Sequence, residues 1–358
     1  AQLGKEMMEH EASLTNCARN VSCRESAMTG HGFSLACFVR HNGGPDGQGL
    51  GSVGSKMRWF VKVMCIVGLG LAGGAGGAWG QTTDRHMDFH GSMSPTGDRI
   101  VYFSYRESLV PDLFIRYLNR NREQQLTETP HLWETGPEWS PNSNRIAFAR
   151  GESMSYLRAI IRDLDTGEEI DLGPGVDPAW SRDGSRIAWR GPNATLWVAN
   201  ADGSDARGLE LDHLAGIKSE PAWSFDGDFL TFIMEDEGED PARDVYLYQL
   251  STGASWQLTD TPAGETGAFL LPDADTLIYA ALDGTGTPQV YRYTVSAGGA
   301  PEVLTDAGAE PYHYFPSLTP NQRTILFEAG DWNENSFFIY RLDLETGAVR
   351  QLTRRGRR

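Results

Sequence analysis

The sequence predicts an all-β chain: a six-bladed β-propeller of four-stranded antiparallel blades. Three observations lead there. The composition, 40% hydrophobic and 22% charged, excludes disorder throughout, and 41 Gly beside 10 Trp, 12 Tyr and 15 Phe point to aromatic-rich strands joined by many turns. A turn motif recurs six times, starting at Ser94, Ser140, Ser181, Ser224, Leu271 and Thr319. After each start, the sixth residue is Ile100, Ile146, Ile187, Leu230, Leu277 or Ile325, and the eighth is Tyr102, Phe148, Trp189, Phe232, Tyr279 or Phe327. Repetition at this period is the mark of stacked supersecondary units.

The segment ahead of the repeats is different in kind. Residues 57–80 open with Met57-Arg58-Trp59-Phe60-Val61-Lys62, continue with an apolar run from Val63 to Ala72, and end in small residues. That is the layout of a secretory signal peptide, and the apolar run is shorter than the roughly 20 residues a membrane span needs. Residues 1–56 show no sustained period and are expected to be unstructured, a non-native upstream extension with the natural start at Met57. All four Cys (17, 23, 37 and 65) precede residue 81, so the expected mature chain has no disulfide framework, thiolate metal site or Cys nucleophile.

Residues 81–353 form the predicted propeller, and 354–358 a basic tail. In each repeat a first strand ends at Met93, Trp139, Trp180, Trp223, Leu270 or Leu318, just before the turn. The turn uses Asp or Asn to bond its own backbone and Gly for positive φ, as in Ser181-Arg182-Asp183-Gly184. A second strand of alternating pattern follows it. Third strands are expected at 112–117, 159–164, 195–199, 244–250, 289–295 and 336–342. Each is followed by a turn carrying Gly167, Gly203, Gly253, Gly298-Gly299 or Gly347, with Asn119 and Asn121 in the first repeat. A fourth strand closes each repeat, often as Gln-Leu-Thr (125–127, 257–259, 351–353). Four short strands repeated six times make a propeller, because one blade cannot bury both of its faces alone. Each repeat holds its own four strands, so the ring should close by face-to-face packing of the first and last.

The run Pro-x-Trp-Ser-x-Asp-Gly-x-x-Ile-Ala-Trp/Phe, closed by Gln-Leu-Thr, resembles the TolB-type propeller repeat over residues 86–353. Similar blades occur in prolyl oligopeptidases, dipeptidyl peptidases and oligogalacturonate lyases. The resemblance implies the fold and a place in the cell envelope. No G-x-S-x-G elbow stands anywhere in the sequence, which disfavours a serine peptidase.

The net charge of −17 and pI near 4.9 argue against nucleic acid as a partner. On this topology the polar residues of the first strands and of the second-to-third-strand loops gather at one mouth. The candidate binding residues are His90, Glu134, Asp177, Glu220, His313, Tyr314 and Trp332. His90 and His313 are also weak candidates for a divalent metal, although strand-cap hydrogen bonding is the ordinary role for such His. The acidic run Glu235 to Asp240 reads as a solvated loop, without the spacing of an EF-hand. The function expected is a periplasmic or secreted, non-catalytic scaffold without a cofactor. It would act as a monomer with no membrane span in the mature chain, binding an envelope protein or peptide, a basic one included. The alternative is a metal-dependent oligosaccharide lyase or hydrolase with its site at the mouth.

Overall fold

In a computed structural model of the chain, the described residues are 86–354 without 107–109, 121, 238–240, 306–311, 332–333 and 335, together with the backbone of 21–22 and 38–39. The signal-peptide segment 57–80, Trp332 and most of the basic tail lie outside them. Residues 1–53 form a separate unit, in which β1 (Val21–Ser22) pairs antiparallel with β2 (Phe38–Val39); the rest of the expected upstream extension lies outside the described residues.

The described residues of the second unit are almost all strand and turn, and they contain six antiparallel quartets. They are β3–β6 (His86–Met93, Arg99–Ser104, Asp112–Tyr117, Arg122–Gln125), β7–β10 (Trp133–Trp139, Arg145–Gly151, Leu157–Asp163, Glu169–Pro174) and β11–β14 (Val176–Trp180, Arg186–Arg190, Leu196–Asn200, Arg207–Gly208). Then come β15–β18 (Ile217–Trp223, Phe229–Glu235, Arg243–Gln249, Ser255–Gln257), β19–β22 (Thr266–Leu270, Thr276–Leu282, Pro288–Thr294, Glu302–Val303) and β23–β26 (Tyr312–Leu318, Thr324–Asp331, Ser336–Asp343, Val349–Gln351). The middle four quartets are separate sheets. The first and last share one eight-stranded sheet, because His86 and Met87 pair parallel with Ser336 and Phe337. The ring therefore closes with a short main-chain bridge as well as by packing. The last quartet keeps its own outer strand, β26 on β25.

The second strands do not show the alternation expected of them. In β4 Ile100, Val101 and Tyr102 are all fully buried, and β16 is buried from Leu230 to Met234. Each sheet packs a neighbour on both faces, so consecutive side chains are all covered. Only the outer strands, such as β14 and β22, are exposed.

The turn motif works as a side-chain clasp. Ser94, Ser181 and Ser224 accept the backbone N–H of Arg99, Arg186 and Phe229 on Oγ at 2.9–3.1 Å. Gly97, Gly184 and Gly227 are left-handed, as predicted, but so are their counterparts Ala274 and Gln322. The residue after this turn also reaches the next quartet. The guanidinium groups of Arg99, Arg145 and Arg186 lie 4.6, 5.2 and 4.5 Å from the ring centroids of Trp139, Trp180 and Trp223.

The Gln-Leu-Thr triplet belongs less to the fourth strand than to its exit. In the first quartet the strand ends at Gln125, Leu126 N–H returns to the Leu113 carbonyl, and Thr127 Oγ1 accepts the Leu113 N–H at 2.9 Å. Thr259, Thr305 and Thr353 repeat this on Val245, Val290 and Ile339. The hydroxyl thus takes the donor left over where the ladder stops. Thr353→Val should strand a buried N–H and cost about 1–3 kcal/mol, read from a shift in the urea midpoint. An unchanged midpoint would show that another acceptor takes over.

Candidate functional site: the central cavity

Each inner strand carries a β-bulge at the same place. The register slips between Phe89 and Ser92, Thr135 and Glu138, Val176 and Ala179, Ser219 and Ala222, Thr266 and Phe269, and Tyr314 and Ser317. One residue in each bulge is left-handed: His90, Gly136, Asp177, Glu220, Gly267 and Phe315, with φ between 45° and 62°. Only two of these six are Gly, so four residues hold a backbone conformation that L side chains disfavour, a strain that the surroundings must offset. Pro follows in four of the six, where the missing N–H costs the disrupted ladder nothing.

The offset comes from hydrogen bonds between neighbouring quartets. Ser92 Oγ accepts from Trp139 N–H at 2.9 Å, and Glu138 Oε2 from Trp180 N–H at 2.8 Å. Glu220 Oε2 accepts from Gly267 N–H at 2.7 Å. At the closing seam His90 N–H donates to Glu328, and Ser317 Oγ donates to the Gly91 carbonyl at 2.9 Å.

The bulges enclose a cavity of about 170 Å³, lined by all six inner strands. His90, Asp177 and Glu220 line it together. Glu134 and His313 do not. They stand two residues earlier in their strands, buried between sheets, where Glu134 pairs with Arg150 at 2.7 Å and His313 Nδ1 bonds Gln289 Oε1 at 2.9 Å. In a regular strand, residues two apart share a face, but the intervening bulge turns them apart. His90 and His313 therefore serve different surroundings. Tyr314 is buried in the hydrophobic core with Phe89 and Phe337. Trp332 lies outside the described residues.

The acidity expected at the mouth is partly neutralised. Arg243, itself buried, bridges Glu220 at 2.8 Å and Glu235 at 2.6 Å, which removes Glu235 from the free acidic loop, and Arg190 stands 3.7 Å from Asp177. Sequence reasoning missed Arg243, Glu328, Glu138 and Arg182. The usable signal was the turn start: the residue four before it is always the bulge, and the residue six before it is buried in five repeats, Gly175 of the third being the exception.

Burial shapes the titration. Desolvation pushes the Glu328 carboxyl up to about 8 and those of Glu138 and Glu265 up to about 7, and it pulls the His90 imidazole down to about 4. A carboxyl raised above its ordinary 4.5 contributes stability that is present below 4.5 and lost as pH rises through the folded value. A His lowered from 6.5 contributes the reverse: its stabilisation is complete above 6.5 and is lost as pH falls through about 4. Stability should therefore decline from about pH 6 to pH 8. Glu328→Gln should flatten that decline in urea midpoints taken across this range, and an equally steep decline in the variant would refute the assignment.

The profile of the TolB beta propeller domain matches residues 162–357, more than half of the chain. The chain belongs to the TolB β-propeller family. It is similar to TolB from Acinetobacter baumannii, with TM-score 0.57 and 17% identity, covering 73% of this chain and 65% of that one. The putative TolB from Agrobacterium tumefaciens gives TM-score 0.55 and 21% identity, over 67% of this chain and 87% of that one. The oligogalacturonate lyase of Vibrio parahaemolyticus shares the fold at TM-score 0.51 and 15% identity, over 76% and 80% of the two chains. The uncharacterized peptidase YuxL of Bacillus subtilis strain 168 is 27% identical over 213 residues, which are 54% of this chain and 29% of YuxL. The chain thus spans less than a third of that curated relative and just under two thirds of the Acinetobacter structure.

Proposed function

We propose that the chain is a six-bladed propeller, one blade per quartet, that acts as a monomeric, non-catalytic scaffold binding an envelope protein or peptide in the periplasm or outside the cell. One observation carries this reading: the acidic side chains that stand at the bulges are committed to the seams. Glu220 and Glu328 hold bulge amides, Glu220 also holds Arg243, and Asp177 faces Arg190. Groups engaged in this way hold the ring in shape, so these carboxylates do not serve a catalytic metal. The cavity volume weighs against an oligosaccharide site, since about 170 Å³ is below the roughly 300–1,000 Å³ usual for drug-sized ligands. The alternative, a metal-dependent oligosaccharide lyase or hydrolase, would need His90 and His313 to converge, and their different surroundings weigh against it.

The signal-like segment 57–80 supports the location, and among the described residues no helix is long and apolar enough to cross a membrane. The net charge of −17 favours a basic partner surface. Immobilised protein should capture such a partner from envelope extract, with association slowing as salt rises. Asp236→Asn, Glu237→Gln, Glu239→Gln and Asp240→Asn together should slow capture and flatten its salt dependence. Capture and salt dependence both unchanged would remove the acidic loop from the binding face. Stoichiometric bound metal together with sugar cleavage would favour the lyase.

A further inference from the structure

The six repeats provide their own baseline, and two neighbouring blades depart from it at facing positions. The residue after the turn start is Pro95, Pro141, Pro272 or Pro320 in four repeats and Phe225 in another, but Arg182 in the third. The residue two before the turn start is Ser92, Ala179, Ala222, Phe269 or Ser317, but Glu138 in the second. Both exceptions line the central cavity.

Neither charge is fully used by the protein. Arg182 Nε is buried without a hydrogen-bond partner, and its guanidinium donates no hydrogen bond among the described residues. Its guanidinium carbon lies over the Phe225 ring, 5.0 Å from the ring centroid. Glu138 accepts Trp180 N–H on Oε2, and its other oxygen takes no hydrogen bond from the described residues. The two groups feel each other's field but form no direct ion pair. A planar guanidinium with its donors unspent is the natural seat of a carboxylate, which it grips through two parallel N–H bonds. A carboxylate with an open oxygen accepts from an ammonium. Two opposite, desolvated charges that line one cavity without pairing call for a ligand that answers both.

We propose that the central cavity binds a small zwitterion, of free amino-acid size, with its carboxylate on Arg182 and its ammonium on Glu138. At about 170 Å³ the cavity has room for a ligand of that size. This site is separate from the acidic loop of the scaffold reading, so each can fail without the other.

Titration calorimetry on the full chain with glycine and γ-aminobutyrate, which span different gaps, tests the proposal. At least one should bind with a Kd of about 1 mM or tighter. Acetate and methylammonium, each carrying half of the charge pattern, should bind at least about tenfold more weakly, a difference of about 1.4 kcal/mol. Arg182→Lys keeps the charge without the fork, and Glu138→Gln keeps an acceptor for Trp180 N–H. Each should weaken the zwitterion by about tenfold or more while the thermal melt stays near wild type. Three results would overturn the proposal: no binding by either zwitterion, acetate binding as well as glycine, or unchanged affinity in folded Arg182→Lys and Glu138→Gln.

Discussion

Arg243→Met should cost about 3–5 kcal/mol, the usual loss when one partner of a buried ion pair is removed. Arg243 is 9% exposed and is held between Glu220 and Glu235, with Nε on the Glu265 carbonyl. Without it two carboxylates lose their countercharge, and Glu220 would still have to hold the Gly267 amide. The triple variant Arg243→Met, Glu220→Gln, Glu235→Gln should recover much of the loss, since neutral groups of similar shape leave no charge uncompensated. Urea denaturation of the two proteins checks this. A triple variant no more stable than the single one would mean that packing, not charge, sets the cost.

Trp189→Ala should cost about 3–5 kcal/mol as well, through loss of buried apolar surface and the cavity left behind. Trp189 is 1% exposed in a cluster with Ala147, Ala159 and Ile161 of the second quartet and Trp180, Ile187 and Ala199 of the third. The small residues facing it are shaped to the indole and cannot fill its space. His90→Ala should cost about 1 kcal/mol, because His90 faces the cavity and loses mainly its ring contacts with Phe315 at 4.3 Å and Phe103 at 5.4 Å. Similar losses in the two variants would mean that one of these environments is misread.

What the sequence reveals here follows from periodicity. The turn starts, the paired apolar positions and the glycines of the third-to-fourth-strand turns are local signals, and they place every quartet with third-strand edges within about two residues. The cavity was harder to read because its geometry depends on the bulge. Nothing in Glu134 or Asp177 alone says that one lies between sheets while the other lines the cavity. Nor does Asn119 mark the first repeat's turn as Gly does the others, since it is absent from the left-handed residues described. Arg243, Glu328 and Arg182 escaped notice because each acts on a strand of another repeat, or on a cavity that exists only once all six are assembled. The Gln-Leu-Thr motif was visible, but its purpose was not, because the N–H that its hydroxyl accepts lies fourteen residues away in the chain.

The short parallel bridge that joins β3 to β25 gives the ring a seam. The His90 to Glu328 bond beside it spans 238 residues, nearly the whole domain, whereas side-chain bonds such as Arg145 to Ala201 between other neighbours span 56 or fewer. Contacts of such range form only after most of the chain has been ordered, and they bear the greatest loop-closure entropy. During synthesis the first quartet must wait with one face bare until the sixth has emerged. In the finished protein this is the one junction between neighbouring quartets that no connecting loop crosses, held by packing, two residue pairs of ladder and a few hydrogen bonds, so the ring should breathe there first. Amides of β3 and β25 would then exchange hydrogen ahead of those in the middle sheets, as the clasp of a necklace opens before the links.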